Sequence, residues 1–466
     1  MSRVRTILIM LIAMALVAAC TGGPEQQARE EEPAEGGTDG VTIGASGAAG
    51  EAVTLTFSDW HLAEDVWAAS LEEAFADFAN EHPDISVELD VVAYADKESR
   101  YATEIEGGQG PDVFHLHGSV LPFADRDYLM DLNQFIEAED SGFIDQWYPA
   151  VTDQLQVDGT YYALPGDFMA MTMMYNSAML EEAGLDAQNL PTTWEEWMTY
   201  AEALNAPDDG RWAFGTIGAI DPGFELRVAP VFYSHGASYL NEDNTCSALN
   251  TPEAREAFTF LVDLVLDGYV PPGVTSQNAG TVREQLANEQ VAMAFGTGWT
   301  APIVNGINPD LDAFETLVTG PVPVKEGVDP EQPTTAWLSW WAINPNTEHP
   351  EEAWELVKFL TSQETEQKFF DDNRVLSSRV DVSGARGGDG PEGYPELVDD
   401  KFASVIAEQI PAAQFPPKIP ELAQVLEVIN TATQRAYVEE VPAQDALREA
   451  HDEINRLLGG SDCPAF

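Results

Sequence analysis

Positively charged side chains are scarce in this sequence. Its 466 residues include 21 lysines and arginines against 80 aspartates and glutamates, which gives a formal net charge of −59 at pH 7. A chain with this charge repels phosphate backbones and anionic membrane surfaces, so we exclude nucleic acid as a partner. The acidic surface is typical of a protein that must stay soluble outside the cytoplasm, and a specific role in binding cations is the alternative.

The N-terminal apolar run is too short to span a membrane. It extends from Ile7 to Val17, whereas a membrane-spanning helix needs about 20 apolar residues. Arg3 and Arg5 precede it and small residues follow, which is the pattern of a cleaved secretory signal. The stretch VAAC at 17–20 resembles the bacterial lipobox, so we predict a signal peptide at 1–19 and acylation of Cys20; an ordinary signal peptide with a chance cysteine is the alternative.

Cysteine is rare, with three in the chain. Acylation consumes Cys20 and leaves Cys246 and Cys463, which in an oxidising compartment either form a disulfide or stay as two unpaired thiols. The cysteines and histidines show no zinc-ligand spacing, so we expect no metal site.

Catalytic sequence motifs are also lacking. The chain contains no Gly-x-Ser-x-Gly elbow, no phosphate-binding loop and no His-Glu-x-x-His pattern. We therefore predict that the protein is not an enzyme and uses no cofactor. A secreted glycoside hydrolase with two paired carboxylates is the enzymatic alternative.

The order of predicted elements indicates an α/β fold. Residues 20–52 are poor in large apolar side chains and predict a flexible tether, as the Gly-rich segment 384–393 predicts a surface loop. From Val53 the pattern reads strand, helix, strand, helix, strand up to Val113-Phe114. This order predicts a largely parallel sheet covered by helices, with ligands bound at the carboxyl ends of the strands.

Several stretches from Val53 onward match one family in the same order. They are FSDW at 57–60, GPDV at 110–113, DGTYYALP at 158–165, MYN at 174–176, EAGL at 182–185, PTTWEE at 191–196, VAMAFGTGW at 291–299 and WWAI at 340–343. Together they resemble the extracellular solute-binding proteins of carbohydrate ABC importers, family 1, the group that includes maltose-binding proteins. The family's Leu-Pro-x-Arg pattern is replaced by Leu376-Ser377-Ser378-Arg379.

The resemblance implies a type II periplasmic-binding-protein fold. Two α/β lobes, each a mostly parallel sheet flanked by helices, would close about a hinge on a ligand in the cleft between them. We expect lobe 1 to comprise 53–163 and 317–360, and lobe 2 to comprise 164–316 and 361–466. The implied protein is a monomer, anchored by lipid on the extracytoplasmic face of the bacterial cytoplasmic membrane, that delivers a sugar to ABC permease subunits.

Aromatic and polar residues that follow the predicted strands are candidates for the ligand site. A sugar needs flat aromatic platforms and hydrogen-bonding groups for its hydroxyls. Trp60 and His61 follow the first strand, and His115, His117 and Ser119 follow the strand after Pro-Asp-Val. The alternative for the second group is that they satisfy loop backbone groups.

Further candidates come from segments that the resemblance assigns to the cleft. Asp167 would accept sugar hydroxyls beside the ring of Phe168, unless it is a turn aspartate bonded to its own backbone. Trp299, which lies between Gly298 and Thr300, would be the platform on lobe 2. Secondary candidates, weighed against core packing or a surface ion pair, are Phe224, Trp337, Trp340 and Arg379.

The cargo stays open at the level of sequence. A mono- or oligosaccharide is the prediction that the resemblance favours. A polyamine, peptide, metal or organic anion on the same fold is the alternative, and a polyamine would suit the acidic composition through carboxylates and aromatic walls.

Overall fold

A computed structural model of the protein describes residues 40–44, 52–221, 223–328, 333–373, 375–383, 403–409, 413–460 and 462–466. The predicted signal peptide, Cys20 and the Gly-rich segment 384–393 lie outside the described residues. Within the described residues, no helix is both long and apolar enough to span a membrane.

The strands of the described residues form two main sheets and a short hairpin. Their bounds are β1 (Thr42–Gly44), β2 (Val53–Asp59), β3 (Ile85–Val91), β4 (Val113–His117), β5 (Gln156–Val157), β6 (Thr160–Tyr161), β7 (Leu164–Ala170), β8 (Thr172–Asn176), β9 (Trp212–Gly215), β10 (Val291–Gly296), β11 (Leu317–Gly320), β12 (Thr334–Ile343) and β13 (Ala413–Gln414).

Helices cover both main sheets and connect their strands. Their bounds are α1 (Asp65–Glu81), α2 (Lys97–Glu106), α3 (Leu121–Ala124), α4 (Asn133–Ile136), α5 (Pro149–Thr152), α6 (Ser177–Glu182), α7 (Trp194–Leu204), α8 (Phe224–Ser234), α9 (Pro252–Leu266), α10 (Ala279–Ala287), α11 (Thr300–Ile307), α12 (Ala313–Thr316), α13 (Pro350–Leu360), α14 (Gln363–Asn373), α15 (Val380–Ser383), α16 (Ala403–Gln409), α17 (Leu422–Tyr437) and α18 (Ala443–Leu457).

The first sheet has the strand order β1-β3-β2-β4-β12-β13, with β7 also paired to β12. Strands β3, β2 and β4 run parallel, as the β-α-β-α-β pattern predicts, whereas β12 runs antiparallel to both β4 and β7. The predicted apolar stripe of α1, formed by Trp67, Leu71, Phe75 and Phe78, is buried. The carboxyl ends of the three parallel strands therefore meet at one edge of the sheet.

The second sheet has the order β11-β8-β10-β9 and is mixed rather than mostly parallel. β8 is antiparallel to β10 and β11, and β9 and β10 form the parallel pair. The reason is the crossing between the sheets: β8 follows β7 after one residue, Met171, and runs away from the crossing, while β10 and β11 run back toward it.

Strand pairing differs from the predicted lobe boundaries at three segments. Residues 413–414 form β13 and pair in the first sheet, although the prediction assigned them to lobe 2. Residues 164–170 form β7 and pair in the first sheet, although the prediction assigned them to lobe 2. Residues 317–320 form β11 and pair in the second sheet, although the prediction assigned them to lobe 1. The chain crosses between the sheets at Met171 and between β11 and β12, and no Gly or Pro cluster at Met171 marks the first crossing in the sequence.

The predicted tether, residues 20–52, includes a strand, β1, among its described residues. In β1, Ile43 pairs antiparallel with Val87 at the edge of the first sheet. Gly44 has a φ of +105°, and a side chain there would meet the Cβ of Ala79 at 2.9 Å, so the close approach of β1 to α1 requires glycine. The strand is too short to change the average composition of the segment, so the sequence analysis did not predict it.

Helix starts follow the predicted capping patterns. Thr193 caps α7 by accepting a hydrogen bond from the Glu196 N–H, and the Glu196 carboxylate reaches back to the N–H of Thr192. Thr251 caps α9 before Pro252 in the same way. α17 and α18 pack on each other and on α9, so the C-terminal helices belong to the layer around the second sheet.

A disulfide joins Cys246 to Cys463, which are 217 residues apart in sequence. Beside it, the guanidinium of Arg255 lies 4.1 Å from the ring centroid of Phe466, and Nε2 of His451 lies 2.9 Å from the carbonyl of Pro464. These contacts fasten the C-terminal residues to α9 and α18.

Candidate functional site

Asp59 is a buried carboxylate at the carboxyl end of β2. Its Oδ1 accepts a 2.9 Å hydrogen bond from the N–H of His61, and its Oδ2 lies 3.1 Å from Nδ1 of His115. Burial alone would raise the pKa of Asp59, but the His115 and His61 imidazoles hold that pKa well below its usual range. The carboxylate thus contacts the His115 imidazole and the backbone of His61, whose Nδ1 lies 3.4 Å from Oδ1.

The two histidines respond differently to the same carboxylate. Burial lowers the pKa of each imidazole and Asp59 raises it. The pKa of His61 ends above its ordinary value, whereas the pKa of His115 ends below it because desolvation outweighs Asp59 there. His61 therefore carries the proton more readily than His115 at neutral pH.

Asp59, His61 and His115 also form a group of three ligand atoms within 4.8 Å of one another that could hold a metal ion. The expectation of no metal site relied on the spacing of cysteines and histidines, which does not take a carboxylate ligand such as Asp59 into account. The bonds of Asp59 to both histidines, and the stacking of His61 on Trp67 at 4.3 Å, already account for this arrangement.

A continuous row of rings lies beside this carboxylate and extends from one sheet to the other. We call it the aromatic wall and define it as Trp60, Tyr94, His117, Trp337 and Trp299. Tyr94 stacks on His117 at 5.5 Å and His117 stacks on Trp337 at 4.4 Å, while Trp60 meets His117 edge-on at 6.0 Å. Trp299 meets Trp337 edge-on at 5.4 Å.

Strand ends and register bring these rings together. Trp60 and Tyr94 follow β2 and β3, and His117 ends β4, so all three lie at the carboxyl edge of the parallel strands. Ser339 of β12 pairs with His117, which brings β12 and its Trp337 to the same place. Trp299 follows β10 of the second sheet, so both sheets contribute to the wall.

Polar atoms of the wall and its surroundings lack partners among the described residues. Nε1 of Trp299, Nε2 of His117 and Nε2 of His115 are buried without a hydrogen bond. A buried polar atom without a partner costs about 1–3 kcal/mol. Hydroxyl groups of a ligand would satisfy these atoms, and the neighbouring rings would cover its apolar faces.

Asp167 lies in β7 and holds Trp337 in place. Its Oδ2 accepts a 2.8 Å hydrogen bond from Nε1 of Trp337, and its Oδ1 accepts one from the hydroxyl of Ser339. His115 Nε2 is 4.0 Å from Oδ1. Asp167 is therefore not a turn aspartate bonded to its own backbone, and it positions the wall at the point where β7 meets β12.

The other sequence candidates occupy separate places. Trp340 is buried and donates to the carbonyl of Gly118, and Ser119 accepts from the N–H of Leu121, so these two have structural partners. Phe168 packs against Phe415 at 5.9 Å. Phe224 is buried at the first residue of α8.

Arg379 is buried away from the aromatic wall. Its guanidinium donates to the carbonyl of Thr361 at 2.9 Å, to Gln146 at 2.6 Å and to Asp381 at 2.8 Å. It also lies 5.3 Å from the ring of Trp147. This residue joins several segments of the chain in the structure.

Sequence reasoning did not identify Asp59, Tyr94, Lys97 and Trp341. Tyr94 and Lys97 follow β3, so the strand-end rule that selected Trp60 and His117 would have found them. Trp341, rather than its neighbour Trp340, stacks on His115 at 3.7 Å. The register of β12 against β4 pairs Trp341 directly with His115, so both side chains lie on the same face of the sheet, and no sequence pattern revealed this register.

The fold and the site define a class: a two-lobed binding protein with the type II periplasmic-binding-protein fold. A solute-binding protein of an ABC transporter from Thermotoga lettingae TMO, solved with α-D-tagatose bound, has a TM-score of 0.78 and 24% identity over 88% of this chain and 100% of that chain. At this identity the likeness establishes the fold.

The family model described as bacterial extracellular solute-binding protein matches residues 65–367, so the chain belongs to this family. A putative binding protein of Brucella abortus (strain 2308) is 24% identical over 425 residues, which are 90% of this chain and 96% of that protein. The multiple sugar-binding protein of Streptococcus mutans is 24% identical over 327 residues, 68% of this chain and 73% of that protein. These relatives are named as binding proteins, not enzymes.

Proposed function

We propose that this protein captures a saccharide between its two lobes and delivers it to the permease of an ABC importer. The aromatic wall carries the proposal, because it combines ring faces from both sheets with unpartnered polar atoms at Trp299, His117 and His115. Rings that cover sugar C–H faces and polar atoms that meet sugar hydroxyls are what a saccharide site requires.

The two lobes would close on a ligand because the aromatic wall contains rings from both sheets. Trp299 comes from the second sheet and Trp337 from the first. A ligand that contacts both rings binds the closed arrangement better than the open one, and this differential affinity drives closure about the crossings. The names of relatives that bind sugars, including the multiple sugar-binding protein, support the same cargo class.

The experiment is thermal-shift screening of the purified chain from residue 40 onward against a panel of neutral sugars, acidic sugars and polyamines. A ligand at 100 times its dissociation constant should add about 2.7 kcal/mol of stability. Stabilisation by a saccharide, abolished by Trp299→Ala, supports the proposal. Stabilisation by a polyamine alone would contradict it.

We also propose that Cys20 is acylated and holds the protein at the membrane. The lipobox-like stretch before it supports this. Expression of the whole chain in a bacterium, followed by fractionation, should find the protein with the membrane and the Cys20→Ala variant in the medium or periplasm. Equal membrane association of both proteins would contradict anchoring.

A further inference from the structure

Three basic side chains gather at one end of the aromatic wall. Lys97 begins α2, Arg227 lies in α8 and Arg283 lies in α10. α8 packs on β12 of the first sheet and on α9, whereas α10 packs on β10 of the second sheet. The charges of Arg227 and Arg283 both act on the Tyr94 hydroxyl, and Arg283 lowers the pKa of Arg227. The Leu226 carbonyl of α8 accepts a 3.3 Å hydrogen bond from the Thr335 hydroxyl, two residues before Trp337 on β12, and a Cβ at Gly223 would lie 3.8 Å from that of Ala279 in α10. The two helices that carry the guanidinium groups therefore lie together beside the aromatic wall, at whose Tyr94 Lys97 is located.

Lys97 is buried with little compensation for its charge. Its Nζ lies 3.7 Å from the ring centroid of Tyr94 and 5.2 Å from that of Trp60, and it donates to the carbonyl of Tyr94 at 3.0 Å. Its nearest carboxylate, that of Glu98, is 3.9 Å away and half exposed. Burial lowers the pKa of Lys97 to about 8, because rings and one carbonyl do not replace the lost water.

Arg227 is likewise buried, in a helix whose residues are all buried. It donates to the carbonyl of Gly223 at 3.2 Å, and burial lowers its pKa to about 10. Arg283 is half-buried, and its Nε is buried without a hydrogen-bond partner. Within the part of the chain that the structure describes, neither guanidinium forms an ion pair with a carboxylate.

Asp221 is the acidic residue that acts on all three cations. One of its oxygens already accepts a 2.7 Å hydrogen bond from the N–H of Gly223. The chain has 21 basic residues in total, and buried cations are expensive unless an anion pairs with them. Glu98 and Asp59 also act on Lys97, and Glu64 acts on Arg283. Since none of these carboxylates forms an ion pair with either guanidinium among the described residues, the two guanidinium groups can accept a further anion.

We propose that Lys97, Arg227 and Arg283 form an anionic subsite and that the cargo is an acidic saccharide whose carboxylate binds there. This inference rests on the proposed function and specifies its ligand class. With a net charge of −59, the protein repels an anionic solute at long range, so retention of such a solute requires cations placed locally. Guanidinium groups match a carboxylate in geometry and charge.

The test compares matched pairs of sugars by calorimetry: galacturonate with galactose, glucuronate with glucose, and oligomers of each. We expect the acid to bind at least about tenfold tighter than its neutral partner, since hydrogen bonds to charged groups contribute about 1.5–3 kcal/mol. Arg283→Met should weaken binding of the acid about 10- to 100-fold and leave binding of the neutral sugar nearly unchanged.

Controls separate this subsite from general effects. Arg211→Met removes a surface guanidinium that pairs with Glu182 and should leave both affinities unchanged. Arg227→Lys keeps a positive charge at the more buried position, so its affinity for the acid should fall less than that of Arg227→Met. Lys97→Met should weaken binding of the acid as Arg283→Met does. An unchanged ratio of acid to neutral affinity in both Arg283→Met and Lys97→Met would overturn the inference.

The outcomes distinguish this inference from the function that it deepens. If neutral sugars bind as tightly as acidic ones and Trp299→Ala abolishes both, the anionic subsite is wrong and saccharide capture stands. If no saccharide of either kind binds, saccharide capture itself fails. If sugar phosphates or sulfates bind and uronates do not, the carboxylate assignment is overturned.

Discussion

The ring of Trp299 meets the ring of Trp337 edge-on, with centroids 5.4 Å apart and an interplanar angle of 66°. Trp299 follows β10 of the second sheet, and Trp337 lies on β12 of the first. This contact completes the aromatic wall across the two lobes. Its geometry leads to the first of four predictions.

Trp299→Ala should weaken saccharide binding at least about tenfold, because the ring supplies a platform and an indole N–H to the ligand. The melting temperature of the unliganded variant should stay near that of the parent, since Trp299 is only half-buried. Trp340→Ala is the control: that indole is 1% exposed, and its loss should cost about 3–5 kcal/mol. A comparable loss of stability in Trp299→Ala would identify Trp299 as a core residue.

Asp167→Asn should reduce ligand affinity by about tenfold, because the Trp337 indole loses a charged acceptor worth about 1.5–3 kcal/mol. Near-ultraviolet circular dichroism of the tryptophans should change with it. The neighbouring substitution Phe168→Leu alters a side chain that packs on Phe415 instead. Ligand affinity in that variant should equal the parent's, and a loss equal to that of Asp167→Asn would show that the effect is not specific to the carboxylate.

Glu225→Gln should stabilise the protein more as the pH rises. Burial raises the pKa of Glu225 to about 8, and its Oε1 has no hydrogen-bond partner among the described residues. The folded state favours the neutral acid, so the parent loses stability as pH rises from its unfolded pKa through about 8. The advantage of the Gln variant in urea unfolding should grow by about 3 kcal/mol between pH 5 and pH 8.

The control for this pH dependence is Glu181→Gln, at an exposed position in α6. Its stability relative to the parent should not vary over the same pH range. A Glu225→Gln advantage that is constant with pH would contradict the buried neutral carboxyl.

Replacing Cys246 and Cys463 together by serine should destabilise the protein by about 2–5 kcal/mol, because the disulfide closes a long loop in the unfolded chain. The sequence separation is 217 residues. Scanning calorimetry of both proteins with and without a reductant tests this expected loss of stability. The reductant should lower the melting temperature of the parent and leave that of the double variant unchanged; equal sensitivity of both proteins would exclude the disulfide as the cause.

The class of fold and the elements around the first sheet are predictable from local sequence patterns. Alternation in β2 and β3 and the stripe of α1 depend on local periodicity, and Thr193 and Thr251 cap their helices through bonds within one turn. Trp60 and His117 were identifiable for the same reason, since a residue after a parallel strand lies at the ligand edge whatever its partners are.

Contacts between side chains of distant segments, by contrast, depend on how the strands and helices pack. The pairing of Trp341 with His115 depends on the register of β12 against β4, and the mixed second sheet depends on a crossing at the single residue Met171. Lys97, Arg227 and Arg283 lie on three helices from two lobes, so no local pattern brings them together. Contacts between distant segments follow from packing and register, which a linear pattern of residue types does not specify.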